Sequence, residues 1–241
     1  MFLSDQASLI RASSAFSLIA KISFLTMTAF TLISCSSVNS MIGGNTKKDA
    51  VTSASYLPDP AGISIQVKSV ATLNYVNDSP HTLAVAVIQV DSPKAAIKLA
   101  QNTDALDKLL VGGGTSEASV TAYDRFVVQP SSSEEIVLAR AQDTQIIIVY
   151  AAYFNSLIEN RVRLQEIPLK ISSQGVVAQT YQAQAAPLNI QLQLGDTAIK
   201  QMTVPKDQKG EDDLHFRNAN NPTLNSAIPI LKSVAQGVMG L

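Results

Sequence analysis

The stretch "ISIQVKSVATLNYVNDSPHTLAVAVIQV", residues 63–90, decides the fold class. From Ile63 to Val67 an apolar residue occupies every second position, which is the pattern of a half-buried strand. Residues 74–81, "NYVNDSPH", bring together Asn, Asp, Ser and Pro, which are turn formers. Residues 82–90 are then apolar almost throughout and predict a second strand. We expect a hairpin-like pair of strands with an extended connecting loop.

A short helical insert is predicted next, over residues 92–111. Ser92 is typical of a helix N-cap, and Pro93 is typical of the first helical position. A second helix is expected from about Thr103, and the three glycines at 112–114 should end it.

The remaining chain reads mainly as strands, with turn residues between them. Seven strands with one polar face each, and a short helical insert, favour two packed antiparallel sheets. We therefore predict a β-sandwich over residues 61–204. Tyr150, Tyr153 and Phe154 lie in a very apolar strand and are expected in its core. The further predicted strands are 119–129, 134–140, 145–154, 161–170 and 187–194.

The N-terminal segment has the pattern of a lipoprotein signal peptide. After Arg11 and Lys21, the run "ISFLTMTAFTLIS" is uncharged for 13 residues. A transmembrane helix needs about 20 apolar residues, so this run is too short to span a bilayer. It ends in "LISC", which resembles a bacterial lipobox. We predict a signal peptide at residues 1–34 and lipidation at Cys35, the only cysteine.

The lipobox implies a diacylglycerol on the sulfur of Cys35 and an acyl chain on its amino group. Each buried CH₂ contributes about 0.8 kcal/mol, so two or three long chains would hold the protein at a membrane. Lipoproteins retained at the inner membrane usually have Asp at the next position, whereas this chain has Ser36. The expected location is therefore the outer membrane, facing the periplasm. The alternative is an ordinary buried thiol at the end of a core helix.

Two segments outside the predicted sandwich have no strand pattern. Residues 35–60 are rich in Ser, Gly, Asn and Pro, and we expect a flexible tether that reaches roughly 25 to 30 Å. Residues 205–241 form a C-terminal extension, charged at first and then apolar, which is expected to dock as a short helix on the body, the alternative being a loose tail.

Composition argues against several classes of function. The chain has 18 Lys and Arg against 19 Asp and Glu, so it lacks the basic field that nucleic-acid binding needs. One Cys and two distant His give no metal-ligand spacing, and no metal or cofactor is expected. Gly112–Gly114 lack the Lys-Ser/Thr of a P-loop. The acidic pairs Glu134–Glu135 and Asp212–Asp213 are expected in solvated turns, and we predict no enzyme activity.

The order of these features resembles the TssJ family (also called SciN or VasD), the outer-membrane lipoproteins of type VI secretion systems. The likeness is carried by "LNYVNDSPHTLAVAVIQVDSPKAAIKLA" (73–100), "SSSEEIVLAR" (131–140) and "QIIIVYAAYFN" (145–155). Two features depart from the family pattern. Asn155-Ser156 stand where the family often has Arg-Asp, and the chain has no Trp.

The resemblance implies a transthyretin-like sandwich whose first loop binds the periplasmic part of the inner-membrane protein TssM, which is IcmF-like. The alternative is that this loop is an ordinary solvated turn that binds no partner. A rival function is a periplasmic lipoprotein that binds a small ligand or peptide near Tyr150 and Tyr153. Carried over by position, the partner-binding residues would be Asn74, Tyr75, Val76, Asn77, Asp78, Ser79, Pro80 and His81.

Overall fold

The computed structural model describes residues 43–154, 156–176 and 178–205. The predicted signal peptide, Cys35 and nearly all of the C-terminal extension lie outside the described residues. No helix of the described part is both long and apolar enough to cross a bilayer. The described helices are α1 (Lys47–Thr52), α2 (Pro93–Ala100), α3 (Thr103–Leu110) and α4 (Ile158–Arg161). The described strands are β1 (Asp59–Ser69), β2 (Leu83–Val90), β3 (Val120–Val128), β4 (Ser133–Arg140), β5 (Ile146–Ala151), β6 (Val162–Glu166), β7 (Leu169–Gln174), β8 (Thr180–Ala185), β9 (Leu188–Leu194) and β10 (Ile199–Thr203).

Two four-stranded sheets pack face to face, which confirms the predicted β-sandwich. Sheet A has the strand order β10-β9-β1-β4, and sheet B has the order β3-β2-β5-β6. Neighbouring strands are antiparallel except β1 and β9, which run parallel with Ile65 opposite Ile190. Between the sheets lies a core to which β1, β2, β5 and β9 all contribute. It includes Ile63, Ile65, Val85, Val87, Ile147, Val149, Ile190 and Leu192.

The predicted hairpin-like pairing of the first two strands is wrong. Strand β1 pairs with β4 and β9 in sheet A, whereas β2 pairs with β3 and β5 in sheet B. The connection between them therefore crosses from one sheet to the other. The hydrophobic patterns of the two strands give a physical reason. Strand β1 alternates and buries one face, whereas β2 is apolar on both faces and must pack against other elements on both.

Helices α2 and α3 supply the second cover for sheet B. Residues Ala86 and Ile88 of β2, with Ile148 of β5, pack in a second core with Leu99 of α2 and Leu106 of α3. The expectation that every strand has one polar face is therefore wrong for β2 and β5. Seven of the eight residues of β2 and all six residues of β5 are buried.

The helical insert agrees with its sequence signals. The Ser92 hydroxyl accepts a hydrogen bond from the Ala95 N–H at 3.4 Å, and Pro93 is the first residue of α2. Helix α3 is capped by Asn102, whose side-chain oxygen accepts from the Ala105 N–H at 3.1 Å. It ends before Gly112, whose φ of +80° is the left-handed conformation that favours glycine.

The later strands differ from their predicted bounds. The segment 161–170 was expected as one strand but contains the end of α4, all of β6 and the start of β7. Pro168 lies between β6 and β7, and because proline has no N–H it interrupts a strand ladder. Strand β5 ends at Ala151, earlier than predicted, and β8 and β10 were not anticipated.

Contacts divide the chain into two compact units. The larger unit, described over residues 50–172 and 182–205, contains sheets A and B. The smaller unit is described over residues 43–49, 173–176 and 178–181. Within it, the Asn45 side-chain amide donates to the Tyr181 carbonyl at 2.9 Å.

The described part of the predicted tether, residues 43–60, is not a featureless coil. It contains helix α1 and the first residues of β1. The Thr46 N–H donates to the Asp49 carboxylate at 2.9 Å, and the Asp49 N–H donates to the Thr46 hydroxyl at 3.1 Å. These reciprocal bonds have the form of a capping box, a local signal that starts a helix. The bonds from Thr46 lower the pKa of Asp49.

Candidate partner-binding loop

The connection between β1 and β2 has a tight turn at its tip. Val76 and Ser79 exchange two backbone hydrogen bonds, of 2.9 and 3.1 Å. Between them Asn77 and Asp78 have φ values of +50° and +60°. Two central residues with positive φ are the signature of a type I′ turn, and Asn and Asp tolerate this conformation best among residues with a side chain. The tip of the predicted extended loop is thus a defined β-turn with two central residues.

The base of the loop is held by side-chain and backbone bonds to three other segments. The Asn74 amide nitrogen donates to the Thr82 carbonyl, and its oxygen accepts from the Phe154 N–H, both at 3.1 Å. The Tyr75 N–H donates to the Asp196 carbonyl at 3.0 Å. These bonds fix where the loop leaves the sandwich. The fully buried Leu73, just before Asn74, anchors the same point in the core.

Exposed apolar side chains accompany the loop. Tyr75 is 42% exposed, Phe154 58% and Leu157 46%. Phe154 is joined to Asn74 by its backbone, and Ser156 donates its hydroxyl to the Thr197 carbonyl at 2.7 Å, next to the residue that Tyr75 contacts. We call residues 74–81 together with Phe154 and Leu157 the binding end.

The turn between β9 and β10 contacts the binding end through the Asp196 carbonyl, which accepts from the Tyr75 N–H. The Asp196 carboxylate lies 2.8 Å from the Lys200 ammonium. Its bond with Lys200, the largest contribution, lowers the pKa of Asp196. This ion pair lies in the same turn whose Asp196 carbonyl accepts the Tyr75 N–H.

The eight predicted loop residues all lie in the connection between β1 and β2. The three aromatic residues predicted in the core, Tyr150, Tyr153 and Phe154, differ in burial. Tyr150 is fully buried and Tyr153 is 2% exposed, which confirms their predicted place in the core. Phe154, predicted with them, instead lies at the surface. Its exposure could not be read from the apolar run that contains it, because β5 ends three residues earlier, at Ala151. Phe154 and Leu157 are therefore candidate contact residues that the sequence pattern does not indicate.

Candidate metal ligands and acidic pairs lie elsewhere in the chain. Within the described residues, no three His, Cys, Asp or Glu side chains come close enough to hold a metal ion. Glu134 and Glu135 lie in strand β4 and not in a turn, which corrects the expectation for this pair. The Glu135 carboxylate accepts a hydrogen bond from the Ser64 hydroxyl at 2.7 Å. Asp212, Asp213 and His215 lie outside the described residues.

No family model and no curated protein matches the chain. Among solved structures, it is similar to the type VI secretion lipoprotein TssJ1 of Pseudomonas aeruginosa, with 16% identity, 61% of this chain and 98% of that chain covered, and a TM-score of 0.41. It is also similar to Lip of Serratia marcescens, a membrane-bound component of the type VI secretion system, with 13% identity, coverages of 59% and 96%, and a TM-score of 0.40. A chain of a type VI membrane complex matches with 10% identity, coverages of 61% and 99%, and a TM-score of 0.42. At these identities and TM-scores, the function has to be argued from the residues of this chain.

Proposed function

We propose that this chain is a non-enzymatic outer-membrane lipoprotein that anchors a type VI secretion membrane complex by binding the periplasmic part of a TssM/IcmF-like inner-membrane protein. The observation that carries the proposal is the binding end, an exposed loop whose base is hydrogen-bonded to the sandwich. The TssJ-like order of sequence features supplies the identity of the partner.

The loop is suited to binding because hydrogen bonds within the chain itself hold its base and its tip. The left-handed pair Asn77–Asp78 and the bonds of Asn74 restrict its backbone before any partner arrives. Binding therefore costs little loop-ordering entropy, which is a principal cost of association through loops. Rigid scaffolds that present loops are also a common arrangement for recognition.

The chemistry of the binding end suits a partner surface with apolar residues at its centre. Tyr75, Phe154 and Leu157 offer partly exposed apolar area, while Asn77, Asp78 and His81 supply polar groups around it. Protein interfaces commonly combine an aromatic-rich centre with a polar rim, and tyrosine is enriched among the residues that dominate binding energy.

The rival function, a ligand site near Tyr150 and Tyr153, receives no support from the structure. Both side chains are buried, and the Tyr150 hydroxyl is occupied by Asp107 and Arg161. Neither ring offers a surface to a ligand.

The loop half of the proposal is tested with a double substitution. Replacing Asn77 and Asp78 with Ala removes both polar side chains and disfavours positive φ, and we expect capture of the partner's periplasmic part to weaken at least about tenfold. Replacing both with Gly retains the turn, so a smaller loss would separate backbone shape from side-chain contact.

Asp143→Ala is the matched control for the loop. Asp143 has a φ of +62°, so this change imposes the same kind of backbone penalty, at one position instead of two, in a turn away from the binding end. The control should bind the partner normally. If the Asn77/Asp78 alanine variant binds as well as the wild type, residues 74–81 are not the contact and the placement is wrong.

The anchor half of the proposal rests on Cys35 and is tested independently. With Cys35→Ser no thioether to lipid can form, and we expect the protein to leave the outer-membrane fraction and lose label from radioactive palmitate. The change Ser36→Ala, one residue later, should leave both properties intact. A Cys35→Ser protein that still sediments with outer membrane would rule out the lipid anchor.

A further inference from the structure

Three charged or polar side chains from separate elements meet behind the binding end. The Tyr150 hydroxyl donates to the Asp107 carboxylate at 2.5 Å, and Arg161 donates to the Tyr150 hydroxyl. The Arg161 guanidinium also lies 3.3 Å from the same carboxylate oxygen. Its central carbon is 4.8 Å from the centre of the Tyr150 ring, a cation–π distance. These contacts join α3, β5 and α4.

The cluster is partly shielded from water, so its contacts are stronger than those of a surface ion pair. Tyr150 is fully buried, the Arg161 side chain is 16% exposed and the Asp107 side chain is half exposed. Burial, and then the hydrogen bond to Asp107, raise the pKa of Tyr150, so the phenol stays protonated and keeps donating.

Arg161 connects this cluster to the segment that carries Phe154. Its Nε donates to the carbonyl of Ala151, the last residue of β5, at 3.2 Å. Three residues further on, the Phe154 N–H donates to the side chain of Asn74. Arg161 therefore ties the end of β5 to the start of β6, and the connection between them lies against the base of the loop.

We propose that the Asp107–Tyr150–Arg161 cluster positions the binding end, with Arg161 holding the end of β5 so that Phe154 meets Asn74. Arg161 and Tyr150 are thus positioning residues and do not themselves touch the partner. The consequence for partner binding rests on the proposed function, whereas the consequence for the free chain does not. The alternative is that the cluster only attaches helix α3 to the sheet and does not position the binding end.

The first test uses amide hydrogen exchange on the free protein, purified in detergent as cells produce it. Arg161→Lys keeps the charge but cannot reach both the Ala151 carbonyl and the cluster. Tyr150→Phe keeps the ring and removes only the hydroxyl, and it is a second, independent variant of the cluster. In each, we expect the Phe154 amide to exchange at least about threefold faster, because local opening becomes easier.

Arg125→Lys is the matched control for this test. Arg125 also contacts the end of α3, donating to the Leu110 carbonyl at 3.1 Å, but it has no bond to the Phe154 segment. Its substitution should speed exchange at the end of α3 and leave the Phe154 amide unchanged. If Arg161→Lys and Tyr150→Phe behave in the same way as this control, the cluster only fastens the helix and the proposal is overturned.

The second test measures affinity for the partner's periplasmic part. For Arg161→Lys we expect binding about two- to thirtyfold weaker, the range in which residues outside a contact modulate it, and no change for Arg125→Lys. Wild-type affinity for Arg161→Lys, in a protein whose binding depends on Asn77 and Asp78, would overturn the positioning role. If the wild type itself does not bind, the proposed function fails and the exchange result alone decides this inference.

Discussion

Asn74 is the residue whose replacement tests the architecture of the loop most directly. Its side chain makes two hydrogen bonds, to Thr82 and Phe154, and its φ of +47° is unfavourable for a residue with a Cβ. Asn74→Ala removes both bonds, each contributing about 1 kcal/mol, and adds about 1 kcal/mol because Ala tolerates this conformation less well. Unfolding should therefore become easier by about 2–3 kcal/mol.

A paired glycine variant separates these two contributions. Asn74→Gly loses the same two bonds but adopts positive φ freely, so it should be about 1 kcal/mol more stable than Asn74→Ala. Urea denaturation of the three proteins under one set of conditions gives the free energies of unfolding, and partner affinity should fall in the same order. Equal stability of the Ala and Gly variants would refute the left-handed strain, and wild-type stability of both would refute the hydrogen bonds.

Three further predictions concern the scaffold. The fully buried Gln89 amide makes hydrogen bonds with Ala139, Ala141 and Thr144. Gln89→Leu removes these bonds and should lower the free energy of unfolding, measured by urea denaturation, by about 2–4 kcal/mol. Gln66→Leu on the exposed face of β1 should lower it little. Gly112→Ala should lower the midpoint of thermal unfolding more than Gly114→Ala, because both have positive φ but only a Cβ at Gly112 would come within 2.8 Å of the Arg125 guanidinium. Lys200→Gln should raise the pKa of the Asp196 carboxyl, measured by NMR titration, because the bond to Lys200 lowers it. Because folding lowers the pKa of Asp196, its ionised carboxylate stabilises the folded chain above about pH 4. This stabilisation is lost as the pH falls through the folded-state pKa. The stability of the Lys200→Gln variant should therefore depend less on pH in this range. An Asp196 pKa that does not move in the variant would contradict this account of the turn.

The sequence was most informative where a residue's environment is reported by its near neighbours. Alternation in β1 and β9 predicted which face each strand buries, because side chains point to opposite faces with a period of two. Ser92, Pro93 and the glycines after α3 predicted the helical insert, because capping acts within one turn. Asn77 and Asp78 likewise marked a turn, because their side chains tolerate the required backbone conformation.

Two further features have local signals in the sequence. The Thr46–Asp49 capping box is visible in the sequence and predicts helix α1, but the surrounding Ser, Gly and Asn favoured a coil. The long apolar runs of β2 and β5 also indicated strands covered on both faces, which the expectation of one polar face per strand overlooked.

By itself, the sequence determined the β class, the helical insert and the turn at Asn77–Asp78, and it carries the prediction of lipidation at Cys35. Only the tertiary structure decided that β1 and β2 lie in opposite sheets, that Phe154 joins Asn74 at the surface, and that Asp107 and Arg161 meet over Tyr150. The physical reason is the range of the interactions. Periodicity and capping depend on residues a few positions apart, whereas strand partners and clusters are selected by packing between segments distant in the chain, which no local pattern records.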